Sequence, residues 1–199
     1  MTLNIEDLIT NIGLTTPDTD IRSKLWSEIR SNKDVDKGPG VYFVSYDSPS
    51  TEPPFDDNAL ESWIRRGAKI KKRGTRLKET ILDIQVLKDK LAEYWIHDEK
   101  IMYIGSTIHL QVRINQFNNH VLGMSRPHAG GQWVKTLLQE CEIDGVANPL
   151  RLFWYPCGDY GSVENKLLVR FMGIQIHSRP NQEKNVLPFA NLEYTKIPE

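Results

Sequence analysis

Glu164 stands one helical turn before Leu167 and Leu168 and two turns before Phe171, in the run Val-Glu-Asn-Lys-Leu-Leu. A helix there carries a carboxylate on its apolar face, where an unpaired charge is expensive. A metal ion or an arginine partner explains such a residue, and so does an ordinary structural ion pair. Arg113 follows Gly105 by eight positions and lies beside an apolar stripe that includes Leu110 and Phe117. Arginine at such an edge usually extends to water. Two tyrosines sit beside glycines, in Gly40-Val41-Tyr42 and Tyr103-Ile104-Gly105. On a strand, alternation puts Tyr42 on one face with Val44 and Tyr46, opposite Val41 and Phe43. Taken singly, each pair reads as core aromatics. Their order along the chain gives them their weight.

The elements that must position these residues are legible as hydrophobic periodicity. Val41–Tyr46, Ile101–Ile104 and Leu150–Tyr155 are β-branched and aromatic and read as strands, the second stopped by Gly105. Ile108–Val121 reads as a helix with the stripe Leu110, Ile114, Phe117 and Val121, and a further helix covers about 132–140. Asp159 or Ser162 caps a helix running to about Gly173. Two short helices are expected in the first 31 residues, the second carrying Ile21, Leu25, Trp26 and Ile29. A proline-bearing loop at 47–57 precedes a short helix over about 58–66. From Thr75 to His97 the stripe Leu77, Ile81, Ile84, Leu87, Leu91 and Trp95 predicts one long helix.

Composition narrows the class. With 199 residues, 39% apolar, and five Trp, seven Tyr and six Phe, the chain can fill a core. No apolar run reaches membrane-spanning length, and the acidic N-terminus is unlike a secretory signal, so a cytoplasmic protein without a membrane partner is expected. Cys141 and Cys157 read as free thiols. The 25 basic and 26 acidic residues give a net charge of -1, weakly against a nucleic-acid partner. Distribution outweighs the sum: residues 65–78 hold eight Lys or Arg and no acid.

Read together, Gly-Pro-Gly-Val-Tyr at 38–42, Tyr-Ile-Gly-Ser-Thr at 103–107 with Arg113, the glutamate run, and Arg-Pro-Asn at 179–181 resemble the GIY-YIG nuclease superfamily. That superfamily includes an excision-repair nuclease subunit, phage homing endonucleases and some type II restriction enzymes. The resemblance covers residues 38–46 and about 100–185. It implies an α+β fold: a small three-stranded antiparallel β-sheet flanked by helices. It also implies roles. Glu164 matches the metal-binding carboxylate and Arg113 the phosphate-contacting arginine. Tyr42 and Tyr103 match paired tyrosines, one of which helps deprotonate the attacking water, and Asn181 matches an asparagine that shapes the site. Phosphoryl transfer needs charge stabilisation and positioning more than covalent help, which suits these residue types with Mg²⁺ or Mn²⁺.

The sequence departs from the pattern twice. Many members have histidine four residues after the arginine, where this chain has Phe117. His128 resembles a second family histidine, with His120 nearby, and both also read as surface residues; His97, His109 and His177 read as surface residues. The first two strands, commonly joined by a short hairpin, are here separated by 60 residues between Tyr42 and Tyr103. The expected organisation is therefore a helical extension over 1–37 and a nuclease domain over 38–185. A basic helical insertion at 47–99 interrupts that domain, and a tail follows at 186–199. Lys71, Lys72, Arg73 and Arg76 are the expected contacts to double-stranded DNA, although a charge run is usually only a solvated face. With no separate targeting domain, a restriction-type DNA endonuclease is expected, and a homodimer would let it cut both strands. Its rivals are a structure-selective repair or mobile-element nuclease and an inactive nucleic-acid-binding module on the same fold.

Overall fold

The computed structural model describes residues 5–10, 12, 21–25, 35–46, 52–71, 78–121, 129–137, 150–178 and 187–191. The fold is mixed α and β, built on an antiparallel sheet with helices on both faces. Its strands are β1 (Arg22–Leu25), β2 (Gly40–Tyr46), β5 (Ile101–Thr107) and β6 (Leu150–Pro156), in the order β1-β6-β2-β5. A separate hairpin pairs β3 (Ala68–Lys71) with β4 (Lys78–Ile81). The helices are α1 (Ile5–Thr10), α2 (Asp57–Arg65), α3 (Ile84–Ala92), α4 (Leu110–Val121), α5 (Ala129–Lys135) and α6 (Tyr160–Ser178). No helix among the described residues is long and apolar enough to cross a membrane.

Period-two alternation divides the core. Tyr42 pairs with Trp154 and Val44 with Leu152, and these side chains meet Leu110, Ile114 and Phe117 of α4, Trp133 of α5, and the insertion. Val41 and Phe43 pair with Tyr155 and Phe153 on the opposite face, under Leu167, Leu168 and Phe171 of α6 and Ile5, Leu8 and Ile9 of α1. Central strand β2 is buried on both faces from Gly40 to Ser45. Each large apolar side chain so buried contributes about 1.5–3 kcal/mol.

Four expectations are corrected. Residues 22–25, expected in a helix, form a fourth strand on the edge of β6. Arg22 sets two hydrogen bonds of 2.8 Å on the Asp36 carboxylate, which also accepts the Trp154 indole N–H at 2.9 Å. These partners lie far along the chain, beyond the reach of local periodicity. The long helix expected from Thr75 is a shorter α3 preceded by β4. Asp83 starts that helix, its carboxylate accepting the Val86 N–H at 2.9 Å. The apolar stripe is real, since Ile81, Leu87, Leu91 and Trp95 reach one core, but Ile81 does so from a strand paired with Ala68. Finally, β5 runs through Gly105 to Thr107, and α6 runs past Gly173 to Ser178.

The start of α4 is tied to the sheet. The Leu110 N–H donates to Gly38 O and the Gln111 N–H to Asp36 O, each at 2.9 Å, satisfying donors that a helix leaves free in its first turn. Gly40 makes this approach feasible, because a Cβ there would collide with the Tyr155 carbonyl and with Leu110 Cδ1.

Residues 187–191, within the segment read as a tail, close the outer edge of β5. Phe189 packs against Trp95 and Trp133 with ring centroids 5.4 and 5.3 Å apart. Ala190 N–H donates to Met102 O at 2.8 Å. The Asn191 amide accepts the Ile104 N–H at 2.8 Å and donates to the Ile104 carbonyl at 2.7 Å, copying a strand partner. Replacing Asn191 with alanine leaves both Ile104 groups unpaired in a buried place, so it should cost about 1–3 kcal/mol. Denaturant unfolding measures this, and an unchanged midpoint would show that β5 does not depend on the contact.

Candidate active site

Four chemically capable side chains come together from four elements. Tyr42 projects from β2 and Tyr103 from β5, on the α4 face of the sheet, with ring centroids 5.6 Å apart. Arg113 sits one turn into α4 and Glu164 in the second turn of α6, on the other face. Mutual electrostatic influence marks the convergence. Arg113 favours the ionised forms of Tyr42, Tyr103 and Glu164, and Glu164 disfavours ionisation of Tyr103.

The glycine between the faces sets the geometry. Gly105 is registered opposite Tyr42. A Cβ on Gly105 would lie 2.6 Å from Tyr103 Cε1 and 2.8 and 2.9 Å from Tyr42 Cζ and Oη. The two rings therefore occupy the space a side chain would need. The next residue, Ser106, faces the other way and donates its hydroxyl to Glu164 Oε2 at 2.5 Å. Thus Gly105-Ser106 links the tyrosine pair to the carboxylate.

Burial sets the proton affinities. Tyr42 is fully buried, which pushes its phenol well above the usual range; Tyr103 adds to the rise and Arg113 opposes it. Its hydroxyl has no hydrogen-bond partner of regular geometry among the described residues. Tyr103 is also raised, mainly by burial and further by Glu164, with Tyr42 and Arg113 opposing. Burial raises the Glu164 carboxyl, while the Ser106 hydrogen bond and Arg113 pull it down. Phe117 closes the apolar side, its ring centroid 6.2 Å from Tyr42 and 5.5 Å from Tyr103. As hydrocarbon, it offers the Tyr42 phenol no polar contact.

Among the described residues no three His, Cys, Asp or Glu side chains cluster as a metal cage. The donor set is a single carboxylate with hydroxyls nearby. Such oxygen donors fit a hard divalent cation of the Mg²⁺ kind, which is commonly held by one or two carboxylates, waters and substrate phosphates. Glu164 is the residue that would hold it.

His128, Asn181, Lys72, Arg73 and Arg76 lie outside the described residues, and for Lys71 only the backbone is described. His97 and His109 are exposed, as expected. Reading the sequence gave Ser106 no role. Its signal was alternation, since a residue one step from Gly105 must face the side on which the glutamate helix packs. Comparison with protein-family models, with curated proteins and with solved structures finds no match.

Gly105→Ala should force the tyrosine pair apart. An overpacked methyl group typically costs about 1–3 kcal/mol, and thermal unfolding should show that loss. An alanine variant with wild-type stability would mean the rings move aside freely and the glycine is not what spaces them.

Proposed function

We propose that this chain is a GIY-YIG-type nuclease, a Mg²⁺-dependent DNA endonuclease most like the restriction enzymes of that superfamily. The convergence of Tyr42, Tyr103, Arg113 and Glu164 carries the proposal, because the resemblance assigns roles to these four and they come from four separate elements. An antiparallel sheet between helical layers agrees with the fold that the resemblance implies.

In this account Arg113 grips the scissile phosphate, and its charge strengthens that contact as negative charge develops on the phosphoryl oxygens. Glu164 holds the divalent ion, which when bound supplies positive charge for the phosphate and the leaving oxygen. Ser106 fixes the carboxylate by donating to Oε2. Tyr42 and Tyr103 position the attacking water through their hydroxyls, and the ionised form of one of them takes the water's proton as the new P–O bond forms and the leaving oxygen departs. Burial favours the neutral phenols, and Arg113 is the group of this chain that favours the ionised form this step needs. Each site cuts one strand, so a homodimer on the duplex would cut both.

Phe117, in the place where many members carry histidine, favours one competing reading: a nucleic-acid-binding module that no longer cuts. The variants Glu164→Gln and Arg113→Ala separate the two. Glu164→Gln should abolish cleavage and leave DNA binding intact. The Glu164 carboxyl is raised in the fold relative to the unfolded chain, so above that value the ionised group costs stability. Glutamine removes that cost, and the variant should melt no lower than wild type at neutral pH. Arg113→Ala should lower single-turnover cleavage about 10²–10³-fold while weakening DNA binding less. Near-normal cleavage by the glutamine variant would remove Glu164 from the chemistry. A wild-type chain that binds DNA without cutting it would establish the module.

A further inference from the structure

The insertion between β2 and β5 begins with α2, whose first turn is capped by Asp56 accepting the Asn58 N–H at 2.8 Å and the Ala59 N–H at 3.2 Å. Leu60 and Trp63 bury its inner face. The helix ends at Arg65, and Gly67, with φ of 78°, turns the chain into the β3–β4 hairpin. Ala68, Ile70 and Ile81 point into the core, which fixes the hairpin's orientation.

Its outer side collects positive charge. Arg65, Arg66, Lys69 and Lys78 are exposed, and none has a carboxylate partner among the described residues. The register sets Lys71 directly opposite Lys78 and Lys69 opposite Thr80. Like charges facing each other across a ladder destabilise it. Glu79, the one acid on either strand, belongs to the other side of the pleat and is paired with Lys90 at 2.9 Å. Asp57 is likewise paired, with Lys88 at 2.6 Å. Glu79 and Asp57 are thus engaged by α3, and among the described residues Arg65, Arg66, Lys69 and Lys78 keep no carboxylate partner. Arg66 also acts on Lys135 of α5, whose proton affinity falls through burial first and through that neighbouring charge second.

Lysines on exposed edges also serve to block strand-to-strand aggregation. Edge protection needs a charge on each strand, but it does not need two lysines in one cross-strand pair. A polyanion relieves that repulsion. We propose that the outer face of the β3–β4 hairpin, with Arg65 and Arg66 at its entry, binds the phosphate backbone of duplex DNA through Lys69 and Lys78. The proposal rests on the nuclease reading for its choice of polyanion, and it places the contact on a folded hairpin with a defined register. Such contacts hold the duplex without reading its sequence.

The test uses the full-length chain with Lys69→Ala and Lys78→Ala together, and separately Lys78→Thr. Binding to a labelled DNA duplex is measured without divalent metal, across about 50 to 200 mM salt. The double variant should bind about tenfold more weakly at moderate salt, with the salt slope reduced by about two units, one for each lost phosphate contact. Lys78→Thr should weaken binding and raise the melting temperature of the free protein, because the opposed charges are gone. Unchanged affinity and slope in the double variant overturn the proposal, as does a lower melting temperature for Lys78→Thr. A hairpin-dependent preference for single-stranded RNA over duplex DNA overturns it as well. The nuclease reading is checked independently by cleavage with Mg²⁺. If wild type cuts DNA and the double variant binds normally, the hairpin assignment alone fails. If wild type does not cut but loses duplex binding with the lysines, the hairpin assignment stands and the nuclease reading fails.

Discussion

The register between β2 and β5 sets Tyr42 opposite Gly105 and Val41 opposite Ser106, and the candidate site depends on that alignment. Side chains alternate across a sheet, so a slip of one residue would turn Tyr103 and Gly105 away from Tyr42, and Ser106 away from Glu164. Several features protect the alignment. Strand β2 is held between β5 and β6 and buried on both faces. Asn191 and Ala190 occupy the outer edge of β5. The carbonyls of Asp36 and Gly38 hold the first turn of α4, which carries Arg113. The layers on the two faces of the sheet thus meet chemically at the dipeptide Gly105-Ser106.

The same packing explains the site's electrostatics. Burial makes Tyr42, Tyr103 and Glu164 hold protons more tightly, and Arg113 is the positive charge that opposes this in all three. A buried hydroxyl with no partner of regular geometry among the described residues and a half-buried carboxylate would both be liabilities if the fold were their only purpose. Perturbed groups gathered around one cation are typical of sites built to bind or to react. Phe117 increases the tension by lining the tyrosine pair with hydrocarbon.

What the sequence disclosed follows from how local each signal is. The strands at 40–46 and 150–156 carry dense β-branched and aromatic residues, and α4 carries an unbroken stripe, so these elements matched their periodicity. The placement of Tyr42 with Val44 on one face followed from alternation alone. The misread elements are set by distant partners. Strand β1 exists because β6 offers an edge and Asp36 offers an anion to Arg22. The stripe from Ile81 to Trp95 looked helical throughout because a strand and a helix both deliver residues to the same core. Asn191 meets Ile104 across 87 positions, and a lone asparagine near a chain end carries no local mark of such a bond. The grouping of the four site residues was legible only through their order and the resemblance, since no short-range spacing links β2, β5, α4 and α6.

The most direct measurement of the central claim is incubation of the purified wild-type chain with supercoiled plasmid, with Mg²⁺ or Mn²⁺ and with chelator, resolved on a gel. The account predicts conversion to nicked and linear DNA only where the divalent ion is present. Plasmid that stays supercoiled with either ion, at protein concentrations that saturate the DNA, would contradict it.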